Sequence, residues 1–243
     1  MDGQFAYGLV IVGVFAGALV SGFAGFAFSA VAGAFLLHVM PPIEAVPLMM
    51  ACSIMVQGAS LVTLRNSMRW RGSLGYIAGG ALGIPPAIYL LHHIDTWTFR
   101  VGFGAFLVAY AAYMFCRPTV AYLRGVQSRL RDAAVGFAGG MVGGLTAMPG
   151  ALPTIWCDLR GLAKEHQRGL VQPFIAVMQC AALALLASAG GFSSGVLVNL
   201  VITLPALAAG TALGIILFGR VDQASFRRIT LAILFAGGIA LVL

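Results

Sequence analysis

Two glycine-rich interruptions of apolar sequence carry the residues of this chain that best suit anion binding. The first break is residues 21–28, SGFAGFAF, and the second is residues 143–150, GGLTAMPG. A helix continues poorly through them, because each glycine costs about 1 kcal/mol relative to alanine and a proline about 3 kcal/mol. An interrupted helix leaves backbone N–H groups without helical partners, and a helix N-terminus carries roughly half a positive charge. The breaks therefore predict an oxyanion receptor that needs no buried arginine.

Six residues of the two breaks are predicted to contact the substrate. Their glycines let an oxyanion approach the backbone closely, and the hydroxyl groups of Ser21 and Thr146 are further donors. Small residues serve close helix packing in lipid equally well, which is the alternative interpretation of any single glycine. The predicted contacts are Ser21, Gly22, Gly25, Gly144, Thr146 and Gly150.

Two glutamines, Gln57 and Gln179, lie near the middle of equivalent apolar runs. A buried amide without a partner costs several kcal/mol, so both side chains need hydrogen-bond partners. One interpretation is that each amide donates to a substrate oxygen. The other is an interhelical hydrogen bond, typically worth about 0.6 kcal/mol in a membrane.

Glu44 and His166 occupy matching positions at the start of equivalent helices. A histidine titrates near neutral pH, so His166 is a candidate for carrying a coupling proton, with Glu44 as its counterpart. Helix capping or solvation is the alternative for both. Sodium held by backbone carbonyls at a broken helix is a second form of coupling. The sequence also allows export driven by the membrane potential alone.

The composition indicates a polytopic integral membrane protein. Of 243 residues, 60% are hydrophobic and 9% are charged, whereas a soluble domain has about 25% charged residues. The net charge of +7 comes from short basic clusters between apolar runs, which favours cytoplasmic loops over nucleic-acid binding. The four cysteines show no CxxC spacing, so no metal or other cofactor is predicted. Trp70, Trp97 and Trp156 lie near run ends, as interfacial anchors do.

The chain reads as two similar halves. At an offset of 122 residues, Gly22 corresponds to Gly144 and Gln57 to Gln179, and at an offset of 127 the motif DxxxFR recurs. The predicted division is a first transmembrane repeat at 1–116, a cytoplasmic linker at 117–132 and a second repeat at 133–243. The apolar runs long enough to cross a membrane are 5–38 and 133–157, each interrupted at its break, and 44–64, 72–91, 98–116, 169–187, 195–218 and 226–243.

The distribution of arginine and lysine predicts how the interrupted runs are arranged. If each run crosses the membrane once, seven of the fourteen basic residues fall on each side. If each doubles back at its break, thirteen fall on one side and Arg100 alone on the other, which the positive-inside rule prefers. The predicted fold is therefore all-α, with two inverted repeats, each a glycine-broken hairpin plus three transmembrane helices. This gives about eight to ten membrane segments and an N-terminus outside, and leaves open whether the hairpins cross fully.

With these features the chain resembles the TauE/SafE sulfite exporter family, also called the four-toluene sulfonate uptake permeases. The resemblance covers the whole chain and rests on its size, the duplicated unit, and a glycine-rich break followed by an apolar run and a helix opening with Glu44-Ala45 or His166-Gln167. The first break departs from the family pattern, since it carries Phe23, Phe26 and Phe28 and no nearby proline.

The resemblance implies movement of small sulfur-containing anions, such as sulfite, an organosulfonate or a thiosulfate-like anion, usually outward across the bacterial inner membrane. Alternating access around a midplane site where the repeats meet is the expected mechanism. A non-transporting membrane subunit is an alternative. An intramembrane enzyme is a weaker one, because the sequence has no HExxH and no hydrolase-like set of His, Asp and Ser. The oligomeric state stays open, a homodimer included.

Overall fold

The computed structural model describes residues 3–24, 27–64, 68–116, 128–188, 190, 193–218 and 223–243. Within these ranges the chain is all-α and contains no strand, as predicted. The helices are α1 (Gly3–Ala24), α2 (Phe28–Leu36), α3 (Pro42–Leu64), α4 (Trp70–His93), α5 (Thr96–Phe115), α6 (Arg129–Thr146), α7 (Ala151–Leu159), α8 (Lys164–Ser188), α9 (Ser194–Phe218) and α10 (Gln223–Val242).

Five of the described helices are long and apolar enough to cross a membrane. Their apolar stretches are Phe5–Gly22, Trp70–His93, Thr96–Phe115, Glu165–Ser188 and Ser194–Leu217, and shorter ones lie at Pro42–Gly58 and Arg228–Val242. Several of these helices contain an internal proline, which membrane helices tolerate when neighbouring groups satisfy the freed backbone. The predicted class, an all-α polytopic membrane protein, is confirmed.

The first interrupted run doubles back on itself. A Cβ atom at Gly17 would lie 2.9 Å from the carbonyl oxygen of Phe28, and one at Gly13 would lie 2.7 Å from Cβ of Phe35. Earlier residues of α1 therefore face later residues of α2, so the two helices are antiparallel. The absence of side chains at both glycines lets the two helices approach closely.

The second interrupted run makes the same reversal. Gly143 faces Pro149, with 2.6 Å between its Cβ position and the proline Cβ, and Gly139 faces Pro153, with 3.1 Å to the proline Cδ. The returning helices α2 and α7 have nine residues each. At 1.5 Å per residue each is about 13 Å long, less than half of a hydrocarbon core of about 30 Å. Neither short arm can cross a membrane by itself.

The chain forms two compact units, and each takes helices from both halves of the sequence. The first comprises Met1–Gln57, Ile94–Cys116 and Gly190–Leu243, and the second comprises Gly58–His93 and Arg117–Ala189. In the first unit α1 packs against α9 and α5 against α10, and in the second α6 packs against α4. These units describe packing, so the division at 1–116, 117–132 and 133–243 and the inverted orientation of the repeats stay predictions from the sequence.

The two helix pairs repeat the same contact at the two sequence offsets. In the first unit a Cβ at Gly210 would lie 2.5 Å from the carbonyl oxygen of Phe15, and in the second unit Gly83 faces the carbonyl oxygen of Phe137. Phe15 and Phe137 are 122 residues apart, and Gly83 and Gly210 are 127 apart. The first helix of each half thus packs against the fourth helix of the other half, and both pairs contain the same contact between a backbone carbonyl oxygen and a glycine.

Candidate functional site

The second break is a tight turn between α6 and α7. Ala147 adopts a left-handed conformation, with φ 57° and ψ 26°, and its N–H donates to the carbonyl oxygen of Gly143 at 2.9 Å. This is a helix C-cap of the kind usually made by glycine. Pro149 follows two residues later and has no N–H to extend the helix. The sequence thus ends α6 where the break was predicted.

Three backbone N–H groups of this turn have no hydrogen-bond acceptor among the residues that the structure describes. They belong to Met148, Gly150 and Leu152, whereas the N–H of Ala151 donates to the carbonyl oxygen of Met148 at 3.3 Å. The three groups lie at the N-terminus of α7 and just before it, where the helix dipole is positive. Such donors suit an oxyanion.

Gln179 reaches this turn from α8. Its Nε2 donates to the carbonyl oxygen of Ala147 at 3.2 Å, and the side chain is 3% exposed. The buried amide therefore has the partner that its sequence position required. The hydroxyl group of Thr146, in contrast, donates to the carbonyl oxygen of Val142 at 2.7 Å within α6. Thr146 and Gln179, both predicted to contact the substrate, thus lie at one turn. The hydroxyl group of Thr146, however, donates within its own helix.

The glycines of the second break lie in close contact with neighbouring helices. A Cβ at Gly144 would lie 2.6 Å from Cβ of Ala87 on α4. At Gly150 it would meet the end of the Ile175 side chain on α8, with Val171 at 3.5 Å. Both glycines therefore serve packing, and neither position excludes a nearby backbone contact with a ligand.

The predicted residues of the first break lie in the first unit. Ser21 is buried, and a Cβ at Gly22 would lie 2.7 Å from the carbonyl oxygen of Thr211 on α9. Gln57 is buried and donates from Nε2 to Oγ of Ser53 at 2.8 Å, one turn earlier in α3. Gly25 lies outside the described residues. Beyond it, Ala27 has φ 76° and directly precedes α2, so both turns contain a left-handed alanine, but Ala147 ends α6 whereas Ala27 precedes α2.

The two candidates for coupling differ in their surroundings. Glu44 lies half-buried in the first turn of α3, with its N–H donating to the carbonyl oxygen of Pro41 at 3.0 Å. His166 lies half-buried in the first turn of α8, beside Arg69 and Arg71 in a cavity of the second unit. Glu44 is thus at a helix start, as the capping alternative expects.

A polar cluster in the second unit was not predicted. Oδ1 of Asp132 accepts from the hydroxyl of Tyr76 at 2.9 Å, from Nε1 of Trp156 at 2.8 Å and from Nη1 of Arg160 at 3.2 Å. It connects the beginnings of α4 and α6 with the end of α7. Trp156 therefore differs from an interfacial anchor, whereas Trp70 and Trp97 are exposed. The one sequence signal was an aspartate in the first turn of an otherwise apolar helix.

The family model described as sulfite exporter TauE/SafE matches residues 9–241 of the chain. The chain belongs to the TauE/SafE family. Searches of curated proteins and of solved structures each found no match. The predicted resemblance is confirmed, and the matched range includes both breaks and both glutamines. A TauE/SafE protein with this set of apolar helices is a multi-pass membrane protein, and its membership supports anion transport and favours a transporter over an enzyme.

Proposed function

We propose that this protein exports small sulfur-containing oxyanions across the bacterial inner membrane, with sulfite, an organosulfonate or a thiosulfate-like anion as substrate. The observation that carries the proposal is the group of three N–H donors at Met148, Gly150 and Leu152, next to the turn that Gln179 contacts. Neutral donors at a helix N-terminus bind an anion without a permanent positive charge, so they also allow it to leave.

The substrate oxygens would accept hydrogen bonds from the backbone of the second break. Gln179 holds this turn, because its Nε2 donates to the carbonyl oxygen of Ala147. It is proposed to contact the substrate from its place beside the turn. The first break, with Ser21, Gly22 and Gln57, is proposed to supply equivalent donors on the basis of the sequence offset.

The membrane potential is a sufficient driving force for this direction. A monoanion leaving a negative interior gains about 2.3 kcal/mol per 100 mV. Alternating access would then need no titrating residue. Uptake of the anion against the membrane potential would require coupling to a second ion. That ion would be a proton carried by His166 or Glu44, or sodium at a broken helix. The proposed orientation has the N-terminus outside, as the distribution of arginine and lysine predicts.

Flux into proteoliposomes that contain this chain alone tests the proposal. Inside-out and right-side-out proteins should each move labelled sulfite, thiosulfate or sulfoacetate, with a rate that follows an imposed potassium diffusion potential. Empty liposomes are the control. Saturable flux that responds to the potential supports potential-driven transport, and flux that needs a proton or sodium gradient assigns coupling. Absence of flux for every sulfur oxyanion contradicts the proposal and favours the alternative of a membrane subunit.

A further inference from the structure

The second unit contains a cavity of about 510 Å³ that the proposed potential-driven export does not use. It lies between the residues that begin α4 and the first two turns of α8. Two hydrogen bonds join the chain segments on its two sides. The N–H of Arg69 donates to the carbonyl oxygen of Gly169 at 2.8 Å, and the hydroxyl group of Ser73 donates to the carbonyl oxygen of Leu170 at 2.6 Å. The lining residues are Met68, Arg69, Trp70, Arg71, Gly72, His166 and Leu170.

The lining of this cavity is basic. Arg69 and Arg71 are both exposed, His166 adds an imidazole, and none of the seven lining residues is acidic. Neither arginine forms an ion pair with a carboxylate of the described residues. Two arginines that line one cavity, without a counterion among the described residues, provide charge and planar donor sets for an anion. Phosphate is an anion whose geometry these donor sets fit well.

The same cavity has an apolar border at the end of a membrane-spanning helix. Trp70 is 50% exposed at the start of α4, and Leu74, one turn further along, is 60% exposed. Trp70–His93 is long and apolar enough to cross a membrane, so its first turn belongs at the level of the lipid headgroups. A small soluble anion needs only the arginines. A phospholipid also uses the tryptophan and the exposed leucine, where its glycerol and acyl chains would lie.

We propose that this cavity binds the phosphate group of an anionic phospholipid. Arg69 and Arg71 hold the headgroup, and Trp70 and Leu74 contact the apolar part of the lipid. Basic pockets between membrane helices are suited to such headgroups. The site is distinct from the second break and makes the lipid a specific ligand rather than a solvent.

Lipid titration of the purified full-length protein tests this site. Phosphatidylglycerol and phosphatidylcholine are added separately to the protein in a nonionic detergent, and bound lipid is measured by native mass spectrometry together with the thermal unfolding temperature. Wild type should retain phosphatidylglycerol at a concentration about 30-fold lower than phosphatidylcholine, since each arginine near a headgroup contributes about 1 kcal/mol. In Arg69→Gln/Arg71→Gln this preference should disappear. These substitutions leave the backbone hydrogen bond of Arg69 in place.

Arg129→Gln/Arg131→Gln is the matched control, because it removes the same charge from two exposed residues in the first turn of α6, outside the cavity. It should keep the preference for phosphatidylglycerol. Arg69→Lys/Arg71→Lys retains the charge and serves if the glutamine variant fails to fold; binding within a few-fold of wild type supports the site. Equal loss in the control overturns it. Full displacement of phosphatidylglycerol by millimolar inorganic phosphate or sulfite also overturns it, and assigns the cavity to a soluble anion.

Discussion

Gln179 donates a hydrogen bond from Nε2 to the carbonyl oxygen of Ala147, the left-handed residue that ends α6, at a distance of 3.2 Å. A buried amide of α8 thus supports the turn in which the N–H groups of Met148, Gly150 and Leu152 have no acceptor among the described residues. This relationship places Gln179 next to the proposed anion contacts and defines the first prediction.

Replacing Gln179 with leucine should lower sulfur-oxyanion flux by about 10-fold to 100-fold, the loss expected for one hydrogen bond to a charged group. Gln167→Leu is the control, because Gln167 lies on the same helix, is also buried, and donates to the carbonyl oxygen of Thr154 at 3.1 Å. Both variants lose one amide-to-carbonyl bond and should unfold at similar temperatures. Equal flux in the two variants, measured per folded protein, would remove Gln179 from the site. Gln57→Leu tests the first break in the same way.

Variants at Gly150 distinguish a role of this residue in helix packing from a role in substrate binding. In Gly150→Ala the new methyl group would meet the end of the Ile175 side chain, which should cost about 1–3 kcal/mol of stability. Adding Ile175→Val removes Cδ1, the nearer of the two Ile175 atoms that it meets, and should restore part of the lost unfolding temperature. If the substrate contacts the N–H of Gly150, the added methyl group hinders its close approach to the backbone, and the KM for flux should stay raised in the double variant. A KM that returns to the wild-type value would mean that Gly150 serves packing alone.

The glycines at the repeated helix contact should tolerate no side chain. Gly83→Ala and Gly210→Ala each push a methyl group against a backbone carbonyl, so both should lose about 1–3 kcal/mol. Gly102→Ala on α5 is the control, since no atom lies within 4 Å of its Cβ position. That variant should gain up to about 1 kcal/mol from helix propensity. Thermal unfolding in detergent measures all three, and unchanged stability in both α4 and α9 variants would contradict the close contact.

Asp132 should be the most sensitive residue of the polar cluster. Asp132→Asn removes the charge opposite Arg160, whose side chain is 9% exposed, and should cost about 2–3 kcal/mol. Tyr76→Phe removes one of the three donors and should cost about 1 kcal/mol. Tyr89→Phe, on the exposed face of the same helix, should be neutral. The order of the three unfolding temperatures is the measurement, and an Asp132→Asn variant as stable as Tyr89→Phe would contradict it.

Asp95 should make the start of α5 sensitive to acid. Hydrogen bonds from Thr98, through its side chain and its N–H, hold the pKa of Asp95 below the usual value. A depressed pKa stabilises the folded state above the usual carboxyl pKa of about 3.9, and this contribution disappears as the pH falls through the lower folded-state value. In Asp95→Asn the asparagine also caps the helix, and because its amide does not titrate, this cap is the same at every pH. The difference in unfolding temperature between wild type and this variant should therefore shrink on acidification, and a constant difference would be the contrary result.

The all-α class and the ends of several helices were predictable because local residues determine them. Glycines and Pro149 end α6, and Asp95 begins α5. For the glutamines, the sequence predicted that each needs a hydrogen-bond partner but not which one. Gln179 donates to Ala147, which lies 32 residues away in the sequence. The Asp132 cluster was beyond reach, because Tyr76, Trp156 and Arg160 come from separate segments and only packing brings them to one oxygen. Which N–H groups of the turn lack an acceptor among the described residues, as those of Met148, Gly150 and Leu152 do, depends on the geometry of the turn and could not be predicted.

The exchange of helix partners between the two sequence halves also bears on how such a chain can arise. The first helix of each half is covered by the fourth helix of the other half, with Gly210 on Phe15 and Gly83 on Phe137. A half-length chain would therefore leave both of these faces without a partner, and two copies would have to supply them to each other. A single repeat of this kind would therefore need a second copy to cover these faces. Separate expression of residues 1–116 and 117–243 should accordingly yield stable protein only when both are made together.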